Sequence, residues 1–208
     1  MREKSKYDLA WPIIGLTFSL AFASTNQVQK YLGTKAVFLY IPIVSLAILV
    51  IYKYYIKWFL SRFTEKQVYW LAAVTLITLI VIFSIVYPIA NSGIVGGGCD
   101  RDEDLNITTT ELLHGRYPYY SRTYLGHSTT HLPGSLLLSI PFVLLGNSAY
   151  QNFFWLLIFI IITKLYFRDG RLAILLLWTI LFLSPTVLRD FIAGRDLLSN
   201  SIYILFFI

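Results

Sequence analysis

Between Val68 and Ala90 the chain reads VYWLAAVTLITLIVIFSIVYPIA, without a single charged side chain. As a helix, a run this long crosses the roughly 30 Å hydrocarbon core of a bilayer. The rest of the chain agrees with that constraint. Hydrophobic residues make up 57% and charged residues 13%, whereas a soluble domain is about 25% charged. Mean hydropathy is +0.66. These features predict an all-α integral membrane protein built as a multi-span helical bundle. The single cysteine, Cys99, excludes an internal disulfide and a multi-cysteine metal site. The formal charge of +6 does not point to nucleic acid. The basic residues cluster at helix ends, where positive-inside bias and lipid headgroups account for them.

Four further apolar runs are expected spans: Leu9–Ala23, Ala36–Tyr52, Ala149–Phe167 and Leu172–Leu188. Leu197–Ile208 begins another and stops short of the roughly 20 residues a span needs. The chain therefore reads as an N-terminal fragment. Residues 1–67 form a two-span hairpin, and residues 68–208 begin a larger transmembrane domain. Arg2, Lys4 and Lys6 precede the first run without a clear small-residue cleavage site, which predicts a retained helix rather than a signal peptide.

Charge sets the expected orientation. Lys53, Lys57, Arg62 and Lys66 against Glu65 leave +3 between the second and third runs, which predicts a cytoplasmic segment and a cytoplasmic N-terminus. The segment 91–131 carries −2 and falls outside. The run 132–146 is short and holds Pro133 and Pro141, leaving two topologies open. A full crossing puts the basic turn 164–171 outside. A re-entrant or surface-lying segment keeps that turn inside and puts 189–200 outside, facing the acids.

The stretch Gly96–His131 is a polar island in this oily chain. Asp100, Asp102, Glu103 and Asp104 stand at the head of a predicted short surface helix, Leu105–His114, with Glu111 further along. Thr108-x-x-Glu111 reads as a capping box, or Asp104 as a cap. Gly115 reads as its stop, with Pro118 just beyond. A helix N-terminus favours ionised acids, and an ionised carboxylate is what a general base needs. Asp100 and Asp102 form an Asp-x-Asp pair that suits Mg²⁺ or Mn²⁺, with metal dependence left open. Tyr117, Tyr119, Tyr120 and Tyr124 read as an interfacial aromatic belt. Asn106-Ile107-Thr108 matches a glycosylation acceptor pattern.

The order of features is Asp100/Asp102/Glu103, Glu111-Leu112-Leu113-His114-Gly115-Arg116-Tyr117-Pro118-Tyr119, His131-Leu132-Pro133-Gly134 and Pro141-Phe142, with Ser184-Pro185, Arg189-Asp190 and Arg195-Asp196 downstream. This pattern resembles the GT-C superfamily of polytopic glycosyltransferases, whose members include protein mannosyltransferases and aminoarabinose transferases. The resemblance covers about half the chain, and the chain departs from the pattern in two respects: two apolar spans precede the one that leads into the acids, and the further C-terminal helices that members of the superfamily carry are expected to be missing from this fragment.

What the resemblance implies is transfer of a sugar from a polyprenyl-phosphate donor to an acceptor hydroxyl on the outer face, in a bacterial plasma membrane. Asp102 is the expected base, with Asp100 and Glu103 as supporting acids. Arg116, Arg122, His127, His131, Arg189 and Arg195 are candidates for holding the leaving phosphate, and Asp196 is the expected partner of Arg195. A transporter or flippase for a lipid-linked or small polar substrate, and a non-catalytic membrane scaffold, are the competing expectations.

Overall fold

A computed structural model describes residues 10–92, 100–196 and 198–202, and the described residues are helical with no strand. They divide into two compact units, Met1–Ala72 with Ile162–Leu188 and Ala73–Ile161 with Arg189–Ile208.

The first unit begins with α1 (Ala10–Leu32) packed on α2 (Thr34–Val50). A one-turn π-helix, Ile51–Tyr55, joins α2 to α3 (Ile56–Arg62). Thr64 and Gln67 then form a capping box that starts α4 (Glu65–Asn91): Thr64 N donates to Gln67 Oε1 at 2.9 Å, and Gln67 N to Thr64 Oγ1 at 3.4 Å. Leu20, Ala21, Val44 and Ile48 make a small apolar core, closed by Ile180 and Leu183 of α8 (Gly170–Leu183). Tyr40 donates its hydroxyl to Leu183 O, and Ser24 and Ser184 share a hydrogen bond of 2.9 Å. Arg171 pairs with Asp169 and donates to Leu60 O, tying the start of α8 to the end of α3.

In the second unit α5 (Arg101–Leu113) packs on α6 (Pro133–Leu144). Further along the chain come α7 (Gln151–Phe167) and α9 (Pro185–Ile192), each divided between the two units. The helix after Asp100 starts four residues earlier than the periodicity predicts. Neither expected cap forms: Thr108 lies in mid-helix, its Oγ1 donating to Asp104 O, and Asp104 lies inside the first turn, while Asp100 takes the N-cap position without a side-chain cap bond. The carboxylates of Asp100 and Asp104 are drawn to the loop at 121–131 instead, which offers donors that a cap would forgo. The expected stop does form. Gly115 adopts φ +70, with Gly115 N donating to Leu112 O and Arg116 N to Glu111 O. These are the two bonds of a Schellman ending, and the left-handed residue between them is where glycine carries no Cβ penalty.

Among the described residues, three stretches are long and apolar enough to cross a membrane: Thr34–Arg62, Glu65–Asn91 and Ser148–Phe167. The first apolar run is not among them, because α1 ends in a polar stretch, STNQVQK. The run Leu172–Leu188 is not one straight helix. It bends by 92° between α8 and α9, at Ser184 and Pro185. Proline cannot donate to the preceding turn and disfavours helix in the residue before it. Counted as one span, this bent pair is a fourth. The 12 residues of α6 rise about 18 Å, short of the hydrocarbon thickness. The expected last run, Leu197–Ile208, lies largely outside the described residues.

Candidate functional site

The acids at the head of α5 face three different ways. Asp102 is buried, 4% exposed, and turned toward α4. Its Oδ2 accepts from the Tyr87 hydroxyl and, at 2.9 Å, from Asn91 Nδ2. Asn147 Nδ2 donates to the Tyr87 oxygen in turn, and Ser148 Oγ to the Asp102 carbonyl. Asp102 Oδ1 has no hydrogen-bond partner among the described residues. Burial raises the Asp102 pKa, against the opposing pull of the Tyr87 hydroxyl, the backbone N–H groups at the head of α5 and Asn91.

Asp100 faces the loop. Its Oδ2 accepts from Thr123 Oγ1 at 2.5 Å and meets His127 Nδ1 at 2.8 Å. Burial works to raise its pKa, but the Thr123 and His127 contacts outweigh this and hold the carboxyl below the usual range. Glu103 accepts from Tyr124 N at 3.2 Å. Each carboxylate thus serves separate partners. Asp100 and Asp102, the expected Asp-x-Asp pair, turn to different partners, and among the described residues no three His, Cys, Asp or Glu side chains are grouped to hold a metal ion.

Asp104 belongs to a third arrangement, which the sequence did not announce. His131, 7% exposed, stands between two buried acids, with Nε2 at 3.3 Å from Asp104 Oδ2 and Nδ1 at 3.3 Å from Asp196 Oδ2. Arg101 Nε reaches the other Asp196 oxygen at 3.0 Å, and Asn200 Nδ2 donates to Asp196 Oδ2 at 2.7 Å. Burial alone would lift Asp196. His131, Arg101 and Asn200 reverse that and lower its pKa to about 2. Burial alone would lower His131, and the two carboxylates raise it above 6.5. Burial raises Asp104, with His131 pulling the other way.

Beside this cluster is a cavity of about 470 Å³, lined on its polar side by Arg101, Thr130, His131, Asp196 and Asn200 and on its apolar side by Leu132 and Leu138. Ligand pockets fall in this size range.

The other sequence candidates stand apart. Arg195 pairs with Asp190 at 3.5 Å, not with Asp196, which is already held by Arg101 and His131. Arg116 makes a two-pronged pair with Glu111 at the far end of α5. Arg122 donates to Gly126 O within a tight loop. Arg189 lies on α9. Tyr119 donates to His131 O at 2.9 Å, so it steadies the loop, while Tyr120 is fully open at 86% exposure. Asn106 exchanges hydrogen bonds with Asn147 and Ser148, and Thr108 is fully buried, so the acceptor pattern is not presented for glycosylation in this fold.

Arg101, Asp104 and Asp196 were missed as site residues because their partners are remote in sequence, and Asn200 because Asp196, its partner four residues before, was itself read as the partner of Arg195. The available signal was His131, an isolated histidine at the start of an apolar helix.

No family model matches the chain, and no curated protein or solved structure matches it.

Proposed function

We propose that the chain is part of a membrane glycosyltransferase that moves a sugar from a polyprenyl-phosphate donor to an acceptor hydroxyl, with Asp102 as the base. The observation that carries this reading is the asymmetry of the Asp102 carboxylate. One oxygen takes both the Tyr87 and Asn91 donors, and the other is buried without a partner among the described residues. A buried oxygen left unpaired costs about 1–3 kcal/mol. A carboxyl whose pKa is raised toward the working pH is also better matched to proton transfer than an ordinary aspartate.

In this reaction the acceptor O–H proton passes to Asp102 Oδ1. The acceptor oxygen bonds to the anomeric carbon as the bond from that carbon to the phosphate oxygen breaks. Polyprenyl phosphate leaves as the anion. The Tyr87 and Asn91 donors keep the carboxylate oriented, and Asn147 fixes Tyr87. The apolar helices supply the surroundings that a lipid-linked donor needs, in a multi-pass membrane protein whose acidic head of α5 faces outward.

The test is sugar transfer from a radiolabelled polyprenyl-phosphate donor by full-length protein in liposomes. Asp102→Asn, which keeps an acceptor for Tyr87, is expected to lower transfer by 10²-fold or more at unchanged expression, in the range typical of general-base loss. Full activity in that variant would remove Asp102 as the base. A transporter would move the donor without cleaving it, so intact labelled donor on the far side would favour that alternative.

A further inference from the structure

We propose that protonated His131 is a positioning residue for the proposed base: it clamps the first turn of α5 to the segment after α9, and loss of its proton sets the alkaline limit of sugar transfer. This rests on the glycosyltransferase reading for the reaction. The clamp itself follows from the atoms that face the imidazole.

Both ring nitrogens of His131 meet acceptors. Nε2 lies 3.3 Å from Asp104 Oδ2 and 3.3 Å from Arg101 O, and Nδ1 lies 3.3 Å from Asp196 Oδ2. A neutral imidazole has one N–H and one lone pair. Either tautomer would turn that lone pair onto an oxygen, so only the imidazolium suits both sides. The charges agree. Asp104 and Asp196 are buried carboxylates, and Arg101 and His131 are the cations that meet them. The cluster is neutral while His131 holds its proton. Without it, one buried negative charge is left uncompensated, which breaks such contacts. Asp104 leans on His131 more than Asp196 does. It otherwise accepts from Thr130 N at 3.4 Å, and its Oδ1 is buried without a hydrogen-bond partner among the described residues. Burial alone would lower the His131 pKa, and Asp196 and Asp104 outweigh it. The charged groups facing the ring are Asp104 and Arg101 from α5 and Asp196 from the segment after α9. α6 has no charged side chain in PGSLLLSIPFVL, and His127, in the same loop as His131, is turned to Asp100.

These contacts fall on both sides of the proposed base. Arg101 begins α5 and Asp104 lies in its first turn, with Asp102 between them, turned to Tyr87 and Asn91 of α4. Tyr119 holds His131 in place by donating to His131 O at 2.9 Å, and Arg101 Nε adds its bond to Asp196 Oδ1 at 3.0 Å. One proton on His131 thus fixes the loop side of the turn that carries Asp102. When it leaves, Asp104 and Asp196 face each other across a neutral ring, the turn is released, and the Asp102 carboxylate loses its alignment.

Two measurements on the full-length protein test this: the pH dependence of sugar transfer in liposomes, and the titration of His131 in nanodiscs by NMR of ¹³C-labelled histidine, its signal assigned by loss in His131→Gln. Wild-type transfer should decline on the alkaline side at the pH where His131 titrates. Asp104→Asn takes one carboxylate from the ring, so His131 should lose its proton more readily. Both the titration and the alkaline limb should then move to lower pH by about one unit or more. His131→Gln, which carries no titrating proton, should transfer at least tenfold more slowly at the wild-type optimum and lose that limb. A purely structural role would lower the rate equally at every pH. That result, or an alkaline limb unmoved in Asp104→Asn, overturns the proposal. Tryptic cleavage after Arg101 at one fixed neutral pH reads the clamp without any transfer. Both variants should be cut there at least tenfold faster than wild type, with cleavage after the exposed Arg122 as the reference. Absence of transfer by wild type at every pH would end the glycosyltransferase reading, whereas unchanged cleavage after Arg101 would end the clamp. If His131→Gln does not fold, Asp104→Asn decides the matter alone.

Discussion

His131 and Asp196 titrate in opposite directions, and stability should follow both. The folded pKa of Asp196, about 2, lies below the roughly 3.9 of an unfolded aspartate. Its contribution is complete above the unfolded value and is lost as pH falls from about 4 toward 2. The folded pKa of His131 lies above 6.5. Its contribution is complete below that and is lost as pH climbs through the raised value. Thermal unfolding in detergent, followed by tryptophan fluorescence, should therefore give a maximum in the mildly acidic range. Asp196→Asn should lower stability by about 3 kcal/mol, because it takes one of two carboxylates from the buried His131 and the carboxylate that Arg101 pairs with. It should also flatten the decline below pH 4; an unchanged acid limb would remove Asp196 as its source. The residue level is where the sequence was least legible. Asp100, Asp102, Glu103 and Asp104 all stand at the head of one helix in the sequence, and only burial against Tyr87 and Asn91 sets Asp102 apart from the others. Nor could it be read that Asp196 takes Arg101, 95 positions away, instead of the adjacent Arg195, because pairing of buried charges is decided by packing.

Element boundaries were easier to read where backbone chemistry decides them. Gly115 ends α5 as expected, whereas the break at Pro185 falls inside the run Leu172–Leu188, which hydropathy alone reads as one span. The start of α5 was missed because the competition between a cap and the Thr123–His127 loop is tertiary. Gly194 links an element ending to the site. It ends α9 at φ +75, with Gly194 N donating to Phe191 O and Arg195 N to Asp190 O. A Cβ there would lie 2.5 Å from the Tyr87 ring and 2.9 Å from Ala149 Cβ. Gly194→Ala should therefore destabilise the protein by more than the roughly 1 kcal/mol of a left-handed alanine. It should also push Tyr87 off Asp102, visible as reduced transfer in protein that still folds. Wild-type stability in this variant would show that the close approach carries no constraint.

For the molecule as a whole, composition was the dependable guide. Trp70, Ile77 and Ile85 along α4 are all more than half exposed. Exposed apolar surface of this extent marks contact with lipid or another protein. The same helix carries Tyr87 and Asn91 at its far end, so a membrane-length element positions the proposed base. Which residues meet there was not written in the hydropathy pattern, since Tyr87 and Asn91 sit within or beside an apolar run and look like ordinary helix-end residues. The central claim is that the Asp102 carboxylate, tuned by Tyr87, accepts the proton of the reacting hydroxyl. The pH dependence of sugar transfer by wild type and Tyr87→Phe tests it most directly. Removing the Tyr87 donor takes away a contact that lowers the Asp102 pKa, so the acidic limb of the rate profile should move to higher pH. An acidic limb at the same pH in both proteins would contradict the assignment.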